Sequence, residues 1–132
     1  MNHIPSFKDF LYESNTDKLD RLPRGAMFDD AKNIKSVFRV SSHGWSETAE
    51  AFEKNQDRGK LSLVNTNDIE ITQPNVQSNK VKGLIPYLDE APEINVVEFP
   101  DGKKVIFDGH HRLVANWVLG KKKIKVNLVK TQ

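Results

Sequence analysis

The 132-residue sequence contains no cysteine, which excludes disulfide frameworks, thiolate nucleophiles, Cys-based zinc sites and thiol redox chemistry. No run of 18 apolar residues occurs, so no transmembrane helix is expected. Met1, Asn2, His3, Ile4 and Pro5 lack the basic and apolar regions of a secretory signal. The expectation is a soluble, cytoplasmic protein without a membrane partner. A chain of this length forms one globular unit with a core large enough to stand without metals or disulfides. Long one-signed charge blocks are also scarce. Residues 1–66 balance 10 cationic against 10 acidic residues, and residues 67–132 hold 10 against 8. From His110 to Gln132, however, six cationic residues (Arg112, Lys121, Lys122, Lys123, Lys125 and Lys130) meet no carboxylate. Such a stretch suits contact with a polyanion, with Lys121, Lys122 and Lys123 as nucleic-acid contacts. It equally suits a solvated lysine turn.

The apolar periodicity changes along the chain. Ser6 caps a short helix to about Glu13, with Phe7, Phe10 and Leu11 on one edge. Residues 14–24 read as a polar arm before Gly25. Ala31, Ile34, Val37 and Phe38 predict a helix over Asp29–Val40, and Ser46 opens a second over Glu47–Asp57. The second half then shifts to strand alternation at Ile69 and Ile71, ending at Gln73-Pro74. A helix follows, with Ser78 as its cap, Val81, Leu84, Ile85 and Leu88 on its face and Pro86 limiting it. Ile94–Phe99 and Lys103–Phe107 flank Pro100-Asp101-Gly102, a strong hairpin signal. A helix over His110–Leu119, stopped by Gly120, and a last strand, Ile124–Val129, complete the pattern. The fold class is α+β: a small mixed sheet with packed helices over 67–132, preceded by a helical region over 1–66. Leu113, Val114, Trp117, Val105, Phe107, Val126 and Leu128 are the expected core.

The informative segment is Val105–Gly120, VIFDGHHRLVANWVLG. A strand runs into Asp108-Gly109 and a helix starts at once. The first N–H groups of a helix lack intrahelical partners, and its dipole places about half a positive charge there, so the junction is suited to an anion. Gly109 permits the sharp turn and a close approach of phosphate to backbone. Arg112 can offer a bidentate fork. His110 and His111 can bind phosphate or act as acid or base near neutral pH. Asp108 has four open roles: helix cap, brace for Arg112, ligand for a divalent cation such as Mg²⁺, or catalytic base. Adjacent helical side chains point about 100° apart, which disfavours one metal held by both histidines.

The strand, Gln73-Pro74, the helix, the hairpin and Phe107-Asp108-Gly109-His110-His111-Arg112-Leu113, followed by Ala115, Gly120 and a terminal strand, resemble the ParB/sulfiredoxin superfamily over about residues 67–130. The small ParB-like nucleases look most similar. The resemblance implies a site for nucleotide phosphates or nucleic-acid backbone at Gly109, His110, His111 and Arg112, with Gln73 beside it. It also implies Asp108, His110 and His111 as catalytic candidates. Sulfiredoxins carry a cysteine where His110 stands, so sulfinic-acid reduction is excluded. Segregation-type ParB proteins carry Glu-Arg-Arg in this motif and continue into further domains, so centromere recognition is not expected. Three functions stay open: a nucleic-acid-binding protein or nuclease, a nucleotide-dependent phosphotransferase with Asp68, Glu70 or Asp108 as base, and a non-enzymatic blocker of a host protein. Separately, Ser6–Glu13 resembles the leader of internal head proteins of T-even-like phages, cut after Leu-x-Glu as in Leu11-Tyr12-Glu13. That likeness implies packaging in a virion head and action in the host cytoplasm.

Overall fold

A computed structural model describes residues 16–26 and 29–131. The helix expected over 6–13, and with it the leader reading, lies outside these residues. Residues 16–20 are helical (α1). There follow β1 (Ala31–Asn33), α2 (Trp45–Asn55), β2 (Lys60–Asn65), β3 (Ile69–Glu70), β4 (Asn75–Gln77), α3 (Ser78–Leu84), β5 (Ile94–Glu98), β6 (Lys104–Asp108), α4 (His110–Val118) and β7 (Lys123–Lys130). Short 3-10 turns cover Gln56–Arg58, Thr66–Asp68 and Ile85–Glu90. No helix among the described residues is long and apolar enough to cross a membrane.

The β5–β6 hairpin forms where the Asp-Gly signal predicts it. Phe99 and Lys103 close it, with Phe99 N–H donating to Lys103 O at 2.9 Å. Gly102 takes φ +86°, the left-handed position that a three-residue hairpin loop requires. Around the hairpin the five-stranded sheet runs β2-β7-β5-β6-β3. β5 pairs parallel with β7, and β3 parallel with β6, while β2–β7 and β5–β6 are antiparallel. The sheet is therefore mixed, and the class is α+β. β1 and β4 form a separate antiparallel pair.

Strand alternation sends side chains to two faces. Val96, Ile106, Val126 and Ile69 meet Leu113, Val114, Ala115 and Val118 of α4 in the main core. Val97, Phe99 and Val105 point the other way, against Ala51 and Phe52 of α2. Of the expected core, Leu113, Val114, Val105, Val126 and Leu128 are buried. Trp117 and Phe107 are only partly buried.

Residues 16–66 share in this packing. Leu19, Leu22, Ile34 and Phe38 belong to the main core. β2 lies before the expected boundary at 66/67, yet it pairs with β7 from Lys60↔Leu128 to Asn65↔Lys123. The helix expected over Asp29–Val40 does not form, and this is a correction. Ala31–Asn33 pairs with Asn75–Gln77 instead, Ile34 N–H donates to Pro74 O at 2.8 Å, and the Asn33 side-chain oxygen takes the Lys35 amide at 2.9 Å. Pairing with β4 takes the backbone groups a helix would need, while burial of Ala31, Ile34 and Phe38 still satisfies the apolar spacing. Ser78 also begins α3 from within, and Gln77 is the residue before it.

Helix α2 is tied to the hairpin tip by His43. Its ring stacks on Phe99 at 3.8 Å and 5°. Its Nδ1 lies 3.0 Å from Glu47 and its Nε2 2.8 Å from Asp101. Hydrogen bonds to Asp101 and then Glu47 raise its pKa above the usual 6.5. A neutral imidazole has one N–H and cannot donate to both carboxylates. With a raised folded pKa, the stabilisation is complete below pH 6.5 and is lost as pH rises through the folded value. Lys103 reaches Ser42 at 3.4 Å on the same surface and is the nearby cation. His43→Gln is expected to lower the melting temperature by a few degrees at pH 6, equivalent to about 1 kcal/mol or less for an exposed cluster. Thermal melts at pH 6 and pH 9 should show that gap closing at the higher pH.

Candidate functional site

Strand β6 ends at Asp108, and Gly109 turns the chain with φ +109° and ψ 31° so that α4 begins at His110. Such a φ is closed to most side chains. A Cβ at this position would also sit 3.0 Å from Arg112 Nη2 and 3.2 Å from its Nε. No side chain caps α4. The capping role open to Asp108 is therefore not used: Gly109 is the N-cap residue, and Asp108, one position earlier, turns its carboxylate to Arg112 Nη2 at 3.3 Å. Its role as brace is the one observed. Arg112 Nη1 donates to the carbonyl oxygens of Pro92, at 2.5 Å, and Glu93, at 3.3 Å. The guanidinium thus fastens the start of α4 to the segment entering β5.

The two histidines turn away from each other. His110 is buried, and its Nε2 accepts the backbone N–H of Thr72 at 3.0 Å and of Gln73 at 3.3 Å. His111, half-buried, accepts the Gln77 N–H through Nε2 at 3.1 Å. Accepting through Nε2 places the proton of each neutral ring on Nδ1. Burial is the main cause that lowers the His110 pKa to about 4; the charge of His111 adds to it and Asp108 opposes it. Burial, then Lys80, lowers that of His111. In this state neither ring offers a free basic nitrogen from Nε2.

Gln73, Asp108, Gly109, His110, His111 and Arg112 line one cavity of about 330 Å³ with Trp45, Leu84 and Phe107. The structure brings these six predicted site residues together. Lys121 and Lys123 line a neighbouring cavity of about 340 Å³, with Arg112 forming a wall of both. Lys122 lines neither; its carbonyl accepts the Thr66 N–H. Asp68 and Glu70, two of the carboxylates considered as a base, line a different cavity with Lys35 and Arg39. Among the described residues no three His, Cys, Asp or Glu side chains are grouped to hold a metal ion. Mg²⁺ commonly keeps several waters and one or two carboxylates, which leaves Asp108 as the residue of this cavity suited to it.

Trp45 went unnoticed in the sequence. It is 57% exposed, lies 6.3 Å and 22° from Phe107, and Phe107 in turn stacks on Phe52 at 4.5 Å. Its signal is an indole placed between the turn Ser41–Gly44 and an acidic helix start, where no apolar stripe accounts for it. The chain matches no known family model, and no curated protein matches it.

Two outcomes follow from this geometry. Gly109→Ala should cost about 1–3 kcal/mol through backbone strain, with displacement of Arg112, measurable as a lower urea midpoint. His110 is neutral in the fold and its pKa lies below the unfolded value of about 6.5. Its contribution is therefore complete above pH 6.5 and is lost as pH falls towards 4. The loss is on the order of 3 kcal/mol. Urea titrations across that range should show a shallower decline for His110→Gln than for wild type.

Proposed function

We propose that the chain binds a phosphate-bearing ligand, a nucleotide or a nucleic-acid backbone, at the start of α4. The observation that carries this reading is the cavity in which an uncapped helix N-terminus, Gly109, Arg112, Gln73 and an exposed aromatic face converge. Free first-turn amides and a positive dipole end favour an anion. Gly109, with no side chain of its own, lets the Arg112 guanidinium lie against the start of α4. Arg112 meets Asp108 at 3.3 Å through Nη2, a contact that a phosphate oxygen can replace while Nη1 stays on the Pro92 carbonyl. Trp45 offers a stacking surface for a base.

Binding is favoured over hydrolysis because both imidazole Nε2 atoms already accept backbone N–H groups. The Nδ1–H edges suit donation to phosphate oxygens, not proton abstraction. Lys121 and Lys123 extend cationic character past Arg112, as a longer polyanion would use. A ParB/sulfiredoxin-like identity agrees with the strand, Gly109, the His-His-Arg helix start and Gln73 in one cavity. Asp108, the one carboxylate in the cavity lining, would be the base in a phosphotransferase or nuclease version.

Thermal shift separates these readings, using nucleoside di- and triphosphates with Mg²⁺ and short single- and double-stranded DNA. A ligand at about 100 times its Kd adds roughly 2.7 kcal/mol, several degrees for a domain of this size. Binding at this site predicts a shift reduced by Gln73→Ala, and reduced for nucleotides or single strands by Trp45→Ala. Plasmid nicking abolished by Asp108→Ala would establish the nuclease version. The absence of a shift with every ligand would sink phosphate binding and favour the host-protein blocker.

A further inference from the structure

A third cavity, of about 470 Å³, lies between the loop Lys35–Arg39 and the segment Asn67–Glu70. Its volume is in the range of small-molecule sites. Glu70, from β3, lines it while only 7% exposed, and its Oε1 is buried with no hydrogen-bond partner. A buried carboxylate oxygen without a donor is costly, and its partner is normally another part of the protein, a water or a ligand. The nearest cation on the partner strand is committed elsewhere: Lys104, in register with Ile69, pairs with Glu98 at 3.4 Å.

The walls of this cavity are divided by charge. Asp68 and Glu70 stand on one side. Lys35 and Arg39 stand on the other; both are exposed, and their bonds among the described residues run through the backbone, the Lys35 amide to Asn33 and the Arg39 carbonyl to Ile71. A bare divalent cation fits poorly, because two carboxylates face two cations. A simple anion leaves Glu70 Oε1 unpaired and faces two carboxylates. The arrangement matches a molecule that carries both charges.

We propose that this cavity is a binding site for a small zwitterion of the α-amino-acid class. The ammonium group of the ligand donates to the Glu70 carboxylate with Asp68 beside it, and the ligand's carboxylate meets Lys35 and Arg39. The site is separate from the start of α4 and does not depend on what binds there.

The test is an NMR titration of the ¹⁵N-labelled full chain with each free proteinogenic amino acid. For any that binds, its N-acetyl derivative, which lacks the ammonium, and its amide, which lacks the carboxylate, serve as controls. At least one amino acid is expected to move the amide resonances of residues 35–39 and 67–70, and both derivatives to bind at least about tenfold more weakly. Glu70→Gln and Arg39→Ala should each weaken binding by a similar factor. Glu70→Gln should melt at or above the wild-type temperature without ligand, since it removes an unpaired buried carboxylate. Thus loss of binding will not reflect unfolding; Arg39→Ala, at an exposed position, supplies the second check. The proposal is overturned if no amino acid moves these resonances, as for a cavity holding only water. It is equally overturned if the N-acetyl derivative binds as well as its parent, or if Glu70→Gln binds like wild type.

Discussion

The architecture around α4 depends on two imidazole lone pairs. Between β3 and α3 the chain bends through Thr72–Gln77, and this segment has backbone N–H groups to satisfy without a neighbouring strand for all of them. Pro74 has no N–H to place. Thr72 and Gln73 donate to His110, and Gln77 donates to His111. Both acceptors lie on the first turn of the same helix, so the bend and the helix start fix each other. Only an unprotonated nitrogen can accept these bonds. The burial that makes His110 hard to protonate is therefore also what lets it do this work.

With the two Nε2 atoms committed to Thr72, Gln73 and Gln77, the guanidinium of Arg112 is the cation at the first turn. Arg112 spans three partners: two carbonyls before β5 and the Asp108 carboxylate at the end of β6. These contacts differ in strength. The Asp108 side chain is 60% exposed, and a pair with one solvated partner contributes about 1 kcal/mol or less. The carbonyl contacts come from a side chain that is itself 15% exposed. The arginine is thereby anchored at one end and exchangeable at the other. On the proposed phosphate-binding reading, an incoming anion would replace one weak contact and find the guanidinium already oriented, which would lower the ordering cost that binding otherwise carries.

Local chemistry was legible wherever a short-range signal decides the structure. Asp101-Gly102 announces the hairpin, Asp108-Gly109 the strand-to-helix turn, and Gly120, at φ +75°, the end of α4. Partnership across the chain was not legible. Ala31, Ile34 and Phe38 repeat with helical spacing and are all buried, but the competitor that wins, pairing with Asn75–Gln77, lies more than forty residues away. In β2 the alternation is masked because Leu61 and Leu63 point outward while Val64 points in, which inverts the usual apolar-in pattern. The histidines were placed at the correct helix turn, but their direction depends on which amides lie opposite. That depends on the fold of residues 72–77 and cannot be read from His-His-Arg itself.

The cavity at the start of α4 and the one beside Glu70 share a construction rule. Each joins a strand or helix start from the second half of the chain to a turn or helix start from the first. Trp45 faces Gly109–Arg112 across one, and Lys35–Arg39 faces Asn67–Glu70 across the other. The first-half turns are held in place by burial. Ile34 and Phe38 enter the main core, and the Phe38 ring meets Trp117 edge-on at 6.3 Å. Lys18 lies over the same indole at 5.2 Å and donates to its carbonyl. Backbone bonds extend this link, with Ile71 N–H donating to Arg39 O and Ser41 N–H to Ile71 O. A division at 66/67 would cut the β2–β7 pairing and strip one wall from each cavity. Residues 16–66 thus take part in both cavities: they supply the aromatic wall of one and the cationic wall of the other, while the motif-bearing half supplies the strand ends and the helix start.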